Sequence, residues 1–473
     1  MKFIIALWFG KLINLLVNII DKTRGSNLAG EWAMKIDKQM VSHFKGIDPH
    51  KVLFVTGTNG KSTTNNLINH VLKTNGKKVV SNLEGANLIF GIATALIKAS
   101  SATGKVSADY YIFETDERYL PIIRKQLRNE NLVITNLQKD QVQRNGDPDF
   151  IYRKLDETFS DGLEKIFVNN VEPRSRSLSV HAGEVITYDV EKHAEAFMKD
   201  ESYVTMPCPK CRHKITFEYY NTDGIGKFQC KNCGYKSDFA PDYMLTDVDF
   251  ENKKFKYKGI TFPMPYDMPY MLYNYAACIA VCERFAGIKP VDVSRSFATF
   301  HNIAGRYEIL KYKNKTIKYM RIKQENPDTL QSTINVMASD PQSKMVVFGL
   351  YPVADFVPYY ANTFYAFDCD YSRLVRSNVE KYYCFSDPVC YDAANRLIYE
   401  GVPEDKITVD PADDPASILK VIDSAETDDV YLITWLHIFE NLQKYIAKEE
   451  KAAEANAEET PAPTSAGKGE DDA

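Results

Sequence analysis

The chain has 473 residues, 44% of them hydrophobic and 26% charged, with a formal net charge of −5. Those values fit a soluble globular protein of about three domains and weigh against a general nucleic-acid binder, which needs a basic surface. Of the nine cysteines, four form two C-x-x-C pairs. Cys278, Cys282, Cys369, Cys384 and Cys390 show no ligand spacing, and such scattered thiols point to a reducing cytoplasm.

The first twenty residues, M-K-F-I-I-A-L-W-F-G-K-L-I-N-L-L-V-N-I-I, are apolar enough to suggest a leader. Lys11 interrupts the run and no small-residue cleavage site follows. Lys11, Asn14 and Asn18 recur at helical spacing, which predicts an amphipathic helix within a lead-in of residues 1–45. It either docks on the protein's own body or rests on a membrane surface, at the inner face of the membrane. A spanning helix needs about 20 uninterrupted apolar residues.

Strand and helix patterns alternate from residue 50 to about 170. Strands are predicted at 51–56, 78–82, 109–114, 131–136 and 165–170, and helices at 61–75, 86–100 and 149–160. This alternation predicts a parallel sheet with helices on both faces. The run K-V-L-F-V-T-G-T-N-G-K-S-T-T at 51–64 is the most informative stretch. Its apolar residues enter a turn where Gly57 and Gly60 let backbone N–H groups face an anion. The following helix adds its positive end. Lys61 can reach β- and γ-phosphates, and the Ser62 hydroxyl can hold Mg²⁺. An ordinary P-loop has glycine at position 55, where this chain has Val55.

Glu114 and Asp116 follow the next apolar strand in F-E-T-D-E. A carboxylate at a strand tip beside a phosphate loop suits Mg²⁺, and Glu114 is the first choice. Thr135-Asn136 would line the same crevice. The cysteines then read C-P-K-C at 208–211 and C-K-N-C at 230–233, a spacing that predicts Zn²⁺ held by Cys208, Cys211, Cys230 and Cys233. A closed four-thiolate site is structural. A helix is predicted at about 270–287 with Asn274 near its start. A hinge at 301–310 contains Arg306, whose guanidinium suits phosphate. Strands at 317–322, 344–349 and 430–434 and helices at 327–338, 388–399, 414–424 and 436–447 make a second α/β unit. The predicted domains are a central unit at 46–303 with the cysteine insertion at 200–242, a C-terminal unit at 304–447, and a disordered acidic tail at 448–473.

T-G-T-N-G-K-S-T-T, S-N-L-E-G-A-N-L-I-F-G-I-A-T-A-L, E-T-D-E and I-T-N-L-Q-K-D-Q-V-Q-R-N-G-D together resemble the Mur ligases and folylpolyglutamate synthases. With the four-cysteine insertion and the C-terminal region, the resemblance narrows to the Mur-ligase-like (MurT) subunits of lipid II isoglutaminyl synthase. It implies a Mur-ligase-like, parallel-sheet ATP-binding domain with a four-cysteine zinc-ribbon insertion, then an α/β C-terminal domain. The implied reaction is ATP-dependent amidation of the D-glutamate α-carboxylate of lipid II. Ammonia would come from a glutaminase partner of the GatD type, since no G-x-C-x-G nucleophile is present here.

Carried over by position, the residues Gly57, Thr58, Asn59, Gly60, Lys61, Ser62 and Thr63 match the phosphate loop. Glu114 matches the Mg²⁺ acid, Asn274 the adenine-side asparagine and Arg306 the phosphate arginine. Asn326-Pro327 matches a K-N-P turn, although Gln324 and Glu325 separate Lys323 from it. The C-terminal A-D-G-x-D-x-S-W segment is reduced here to Ala354-Asp355. Asp355, or else Asp368, is the candidate to complete the partner's Cys-His pair. The competing readings are an amino-acid ligase sharing the same ATP site and a zinc-ribbon module acting on nucleic acid.

Overall fold

The computed structural model describes residues 1–20, 27–83, 86–139, 147–198, 206–222, 224–300, 307–320, 327–351 and 369–458. The chain divides into two units, Met1–Asn302 and Ile303–Ala473. Arg306, Asn326, Asp355 and Asp368 lie outside the described residues.

In the first unit, β1 (Val52–Thr56), β2 (Val79–Ser81), β3 (Tyr110–Glu114), β4 (Asn131–Ile134), β5 (Leu163–Asn169) and β6 (Ala182–Val190) are linked by helical crossovers. The helices include α3 (Lys61–Thr74), α4 (Ile89–Ala99), α5 (Leu120–Gln126) and α6 (Pro148–Thr158). β1 is buried throughout, as a central parallel strand must be when both faces are covered. Within the described residues the nine-stranded sheet runs β11-β10-β9-β6-β5-β4-β1-β3-β2. From β2 to β9 (Tyr243–Asp249) every pairing is parallel. β10 (Lys254–Tyr257) and β11 (Ile260–Pro263) then add an antiparallel edge. The sheet is therefore mixed at one side, because tight turns joining β9, β10 and β11 leave no room for a crossover helix.

The strand order explains where a ligand would bind. β1 lies between β3 and β4, with Val55 opposite Glu114 and Thr56 opposite Ile134. The loop leaving β1 is thus flanked by the exits of both neighbours, at the point where the winding reverses. Two helices follow the sheet, α7 (Pro269–Arg284) and α8 (Pro290–Ala298), and α7 packs on α3. The antiparallel pair β7 (Thr216–Thr222) and β8 (Ile225–Gln229) belongs to the cysteine insertion.

Ahead of the sheet stand α1 (Lys2–Ile20) and α2 (Leu28–Ile36), packed on each other and on α4. The predicted helix is present, and its lysine turns inward. Lys11 Nζ donates to the carbonyls of Ile97 (2.8 Å) and Ser100 (2.7 Å) at the end of α4. Carbonyls in a last helical turn lack backbone donors, and here the Ser100 hydroxyl (3.0 Å, on Ile97) and the lysine supply them.

In the second unit β12 (Tyr307–Tyr312) and β13 (Lys315–Met320) form a hairpin. β13 leads into a parallel sheet with β14 (Lys344–Gly349), β15 (Val379–Phe385), β16 (Ile407–Asp410) and β17 (Asp429–Thr434), in the order β12-β13-β17-β14-β15-β16. Helices α9 (Pro327–Ser339), α10 (Val389–Tyr399) and α11 (Pro415–Asp423) alternate with these strands. The last helix, α12 (Leu436–Glu458), overruns the predicted boundary at 447 by three turns. The correction has a simple cause: K-E-E-K-A-A-E-A-N-A-E is polar but consists mostly of strong helix formers.

Candidate functional site: a phosphate loop and a thiolate knuckle

The turn from β1 into α3 carries the predicted cradle. Gly57 has φ +124° and Gly60 has φ +82°. A Cβ on Gly57 would stand 2.7 Å from the Asn136 carbonyl, and one on Gly60 would overlap Asn274 Oδ1 and lie 3.1 Å from its Cγ. Both positions require glycine twice over, by conformation and by space. Gly60 caps α3 with no side-chain hydrogen bond. The first turn of this helix therefore presents backbone donors and a partial positive charge beside the loop.

Thr135 and Asn136, at the exit of β4, hold the loop in shape. The amide of Thr58 donates to the Asn136 carbonyl (2.8 Å) and that of Asn59 to Asn136 Oδ1 (2.9 Å). The Thr135 hydroxyl and Asn136 Nδ2 both donate to the Asn59 carbonyl, at 2.6 and 3.1 Å. Gln138 adds a second clamp through the Thr58 hydroxyl and Asn59 Nδ2. Two loop amides, those of Thr58 and Asn59, are thus already occupied.

Ser62 and Glu114 meet as the sequence requires: the serine hydroxyl donates to Glu114 Oε1 at 3.0 Å. Glu114 is buried, its backbone N–H donates to Asn82 Oδ1 (2.9 Å), and Asn87 Nδ2 approaches Oε1 at 3.5 Å. A fixed carboxylate oxygen beside a hydroxyl is a donor set suited to a hard divalent cation such as Mg²⁺. Asp116 does not join them. Its Oδ1 accepts the Arg118 amide (2.9 Å) in the turn that starts α5.

Lys61 is folded back on its own loop. Nζ donates to the carbonyls of Gly57 and Thr58 and to Glu117 Oε2 at 3.2 Å, and the Lys61 and Glu117 side chains are only 7% and 4% exposed. Glu117 is a site residue that the sequence reading did not single out. Its signal was available: it is the third acid of E-T-D-E, inside the Asp116–Leu120 turn that leads into α5. Asn274 sits on α7 beneath the loop, accepting the Thr64 hydroxyl at 3.2 Å, with Nδ2 3.4 Å from the Met271 sulfur.

The cysteine insertion closes on itself. Cys208, Cys211, Cys230 and Cys233 bring their sulfurs within 4.8 Å of one another, and Cys208–Cys233 and Cys211–Cys230 are 3.7 and 3.5 Å apart. Four sulfurs about 2.3 Å from a tetrahedral zinc stand roughly 3.8 Å apart, so the thiols fit a metal. The two C-x-x-C turns are built alike. The Cys208 amide donates to the His213 carbonyl and the Arg212 amide to that of Cys208; Cys230, Tyr235 and Gly234 repeat the pattern. Arg212 and Gly234 occupy the same left-handed position, at φ 66° and 74°. The insertion is fastened to the sheet by Tyr235 Oη on the Pro173 carbonyl (2.8 Å), the Gly226 amide on that of Val171 (3.1 Å), and an Arg176–Asp238 ion pair.

Two buried titratable groups lie nearby on and after β6. Burial pushes the Asp189 carboxyl up to about 7, against hydrogen bonds from Asn170 Nδ2 (2.8 Å) and the Val190 amide. Burial holds the His193 imidazole down at about 4.

The chain is similar to several known proteins. Residues 55–234 match the Mur ligase middle domain, and residues 324–436 match the MurT ligase C-terminal family. A curated relative, the MurT subunit of the glutamine-hydrolysing lipid II isoglutaminyl synthase of Staphylococcus aureus (strain COL), is 28% identical over 380 residues, covering 79% of this chain and 83% of the relative. The Streptococcus pneumoniae (strain ATCC BAA-255 / R6) protein of the same description is 27% identical over 423 residues, covering 87% and 90%. Among solved structures, a pseudomurein peptide ligase type C from Methanothermus fervidus superposes with a TM-score of 0.66 at 18% identity, over 87% of this chain and 81% of that one. MurF from Thermotoga maritima in complex with ADP gives 0.55 at 16%, over 89% and 85%.

Proposed function

We propose, since the chain belongs to the Mur ligase family, that it is the ATP-using subunit of a lipid II isoglutaminyl synthase. The curated relatives, described as the MurT subunit of that synthase, are matched over 83% and 90% of their length. The observation that supports it best is the complete cradle at the ends of β1 and β3: Lys61, and Ser62 against Glu114, around a glycine turn.

In this reading the α-carboxylate of the stem-peptide D-glutamate attacks the γ-phosphorus of ATP, the bond to the bridging β–γ oxygen breaks, and ADP leaves. The lone pair of ammonia then adds to the acyl phosphate carbon. Phosphate departs with its oxygen, a proton is lost, and D-isoglutamine remains. A bare carboxylate resists nucleophiles, so phosphorylation supplies the leaving group. Gly57 to Thr63 receive the phosphates at the start of α3. Lys61 exchanges Glu117 for the β- and γ-phosphates, so its positive charge is kept in place until nucleotide arrives. Ser62 and Glu114 would hold Mg²⁺, which would neutralise phosphate charge. Asn274 supports the loop from below. The four cysteines would hold zinc as a structural ion.

The role of Arg306 as a phosphate contact and of Asp355, or Asp368, in completing a glutaminase's Cys-His pair belong to the same proposal. The partner would be a GatD-type glutaminase that releases ammonia. ADP release measured with lipid II and ammonium chloride, free amino acids or glutamine plus the partner tests the reading. Turnover with ammonium and with glutamine supports amidation. Turnover only with an amino acid would make the chain a peptide-type ligase.

A further inference from the structure

The first helix is apolar on two sides. Its inward side packs on the body: Ala6 and Leu7 are fully buried, the Phe3 ring meets Phe44 edge-on at 5.2 Å, a Cβ on Gly10 would lie 3.2 Å from Ala33 Cβ, and Lys11 caps α4. Its outward side is apolar from end to end. Ile5 (55% exposed), Trp8 (55%), Leu12 (51%), Leu15 (58%), Leu16 (48%) and Ile19 (73%) face solvent, far more than scattered surface leucines would give. Trp32 on α2 is 46% exposed, and the Lys35 ammonium stands 3.9 Å over its ring.

We infer that this face lies on an anionic lipid bilayer, with α1 in the plane of the interface. A helix with an exposed apolar face and an aromatic on it partitions to that depth, and Lys2 stands exposed at the start of α1. Charge favours lipid over other occupants. The first 45 residues carry seven lysines and arginines against three acids, in a chain whose net charge is −5. Anionic headgroups complement that local excess, whereas a second copy would set like charge against like. The helix does not cross the membrane: no described helix is long and apolar enough, and Lys11 ties α1 to the body. The two sequence-based alternatives for this segment therefore hold together, one for each face. That the lipid surface also presents the acceptor rests on the proposed function; the binding itself does not.

Flotation of the full chain with vesicles of phosphatidylcholine, alone or mixed with phosphatidylglycerol, tests this. Quenching of tryptophan fluorescence by brominated lipid reports insertion of Trp8. The comparison protein carries Trp8→Glu, Leu12→Glu and Leu16→Glu, all at exposed positions, and thermal unfolding verifies its fold. The wild-type chain floats with anionic vesicles and binds neutral ones, or anionic ones in high salt, roughly tenfold more weakly; the triple variant loses flotation and quenching with unchanged unfolding. Absence of flotation at either composition overturns the inference. So does a wild-type chain that dimerises through this face, with a monomeric variant, and so does binding indifferent to lipid charge. Flotation without ATP turnover would leave this inference standing and remove the amidation reading; turnover without flotation would do the reverse.

Discussion

Gly60→Ala probes the phosphate loop most directly, because its cost can be divided between backbone and neighbour. At φ +82° an alanine carries about 1–2 kcal/mol of left-handed strain. Its Cβ also overlaps Asn274 Oδ1. Asn274 is buried, so it yields only by turning away from the Thr64 hydroxyl, leaving a buried hydroxyl without its acceptor at about 1–3 kcal/mol. The full substitution should destabilise the first unit by about 2–5 kcal/mol. In an Asn274→Ala background only the strain remains, so the coupling is about 1–3 kcal/mol. Urea unfolding of the four proteins of this cycle measures it. Titration with ADP and Mg²⁺ should show affinity falling in Gly60→Ala and partly restored in the double variant. Equal costs in both backgrounds would refute the reasoning, since Asn274 would then not be what fills the space beneath Gly60.

Lys61→Ala should abolish ADP release while leaving the fold intact; sustained turnover would remove Lys61 from the phosphate site. Glu117→Gln should lower nucleotide-free stability by about 3 kcal/mol, because a buried ammonium loses its counter-charge. Nucleotide should restore most of that difference, and an equal thermal shift by ADP in both proteins would contradict the exchange of partners. Removing the metal with a chelator should lower the melting temperature, since the insertion's own core is a small cluster around Phe217, Tyr220 and Phe228. Unchanged melting would take away the structural assignment. Asp189 and His193 give opposite pH dependences. The raised carboxyl makes stability fall as pH rises from about 4 to about 7, and the depressed imidazole makes it rise from about 4 to about 6.5, each by about 1.4 kcal/mol per pH unit. Relative to wild type, Asp189→Asn should therefore gain a rising slope between pH 4 and 6.5 and His193→Gln a falling one. Denaturation across that window checks the signs, and the same slope in both variants would refute the pairing.

The first parallel strands were legible because each is a short apolar run followed by a polar or glycine-containing exit. Such a pattern depends only on local chemistry, and β1, β3 and β4 fall close to their predicted limits. β6 was missed: it begins A-G-E, half exposed, and its buried portion Ile186–Val190 contains Thr187 and Asp189, which do not look like core. β9, β10 and β11 were missed because alternating lysines and aromatics such as K-F-K-Y mark an edge that only tertiary pairing defines. The cradle could be read as residues, but its supports could not. Asn136 lies 77 positions from Asn59, and no local periodicity announces that pairing. The direction of the lysine on α1 was not legible for a related reason. Helical spacing groups Lys11 with Asn14, but whether that side meets water or the carbonyl end of α4 depends on a segment 86 residues away.

The supports also connect the two candidate metal centres. Gln138 clamps Thr58 and Asn59 on one side. On the other, a Cβ added to Gly224, in the turn between β7 and β8, would lie 2.7 Å from Gln138 Nε2. The cysteine insertion is thus in close reach of the residue that shapes the phosphate loop. Loss of its metal should do more than loosen a peripheral hairpin: it removes the backing of Gln138, so nucleotide affinity should weaken together with thermal stability. Gln138→Ala separates the two effects, since it removes the side-chain hold on Asn59 Nδ2, keeps the backbone bonds to the Thr58 hydroxyl, and leaves the thiolate site intact. If chelation and Gln138→Ala weaken ADP binding to the same degree, and chelation does nothing further in the variant, the insertion acts on the loop through this one side chain. Additive losses would mean that the insertion reaches the nucleotide by another route, through the segment at Val171 and Pro173 to which it is also fastened.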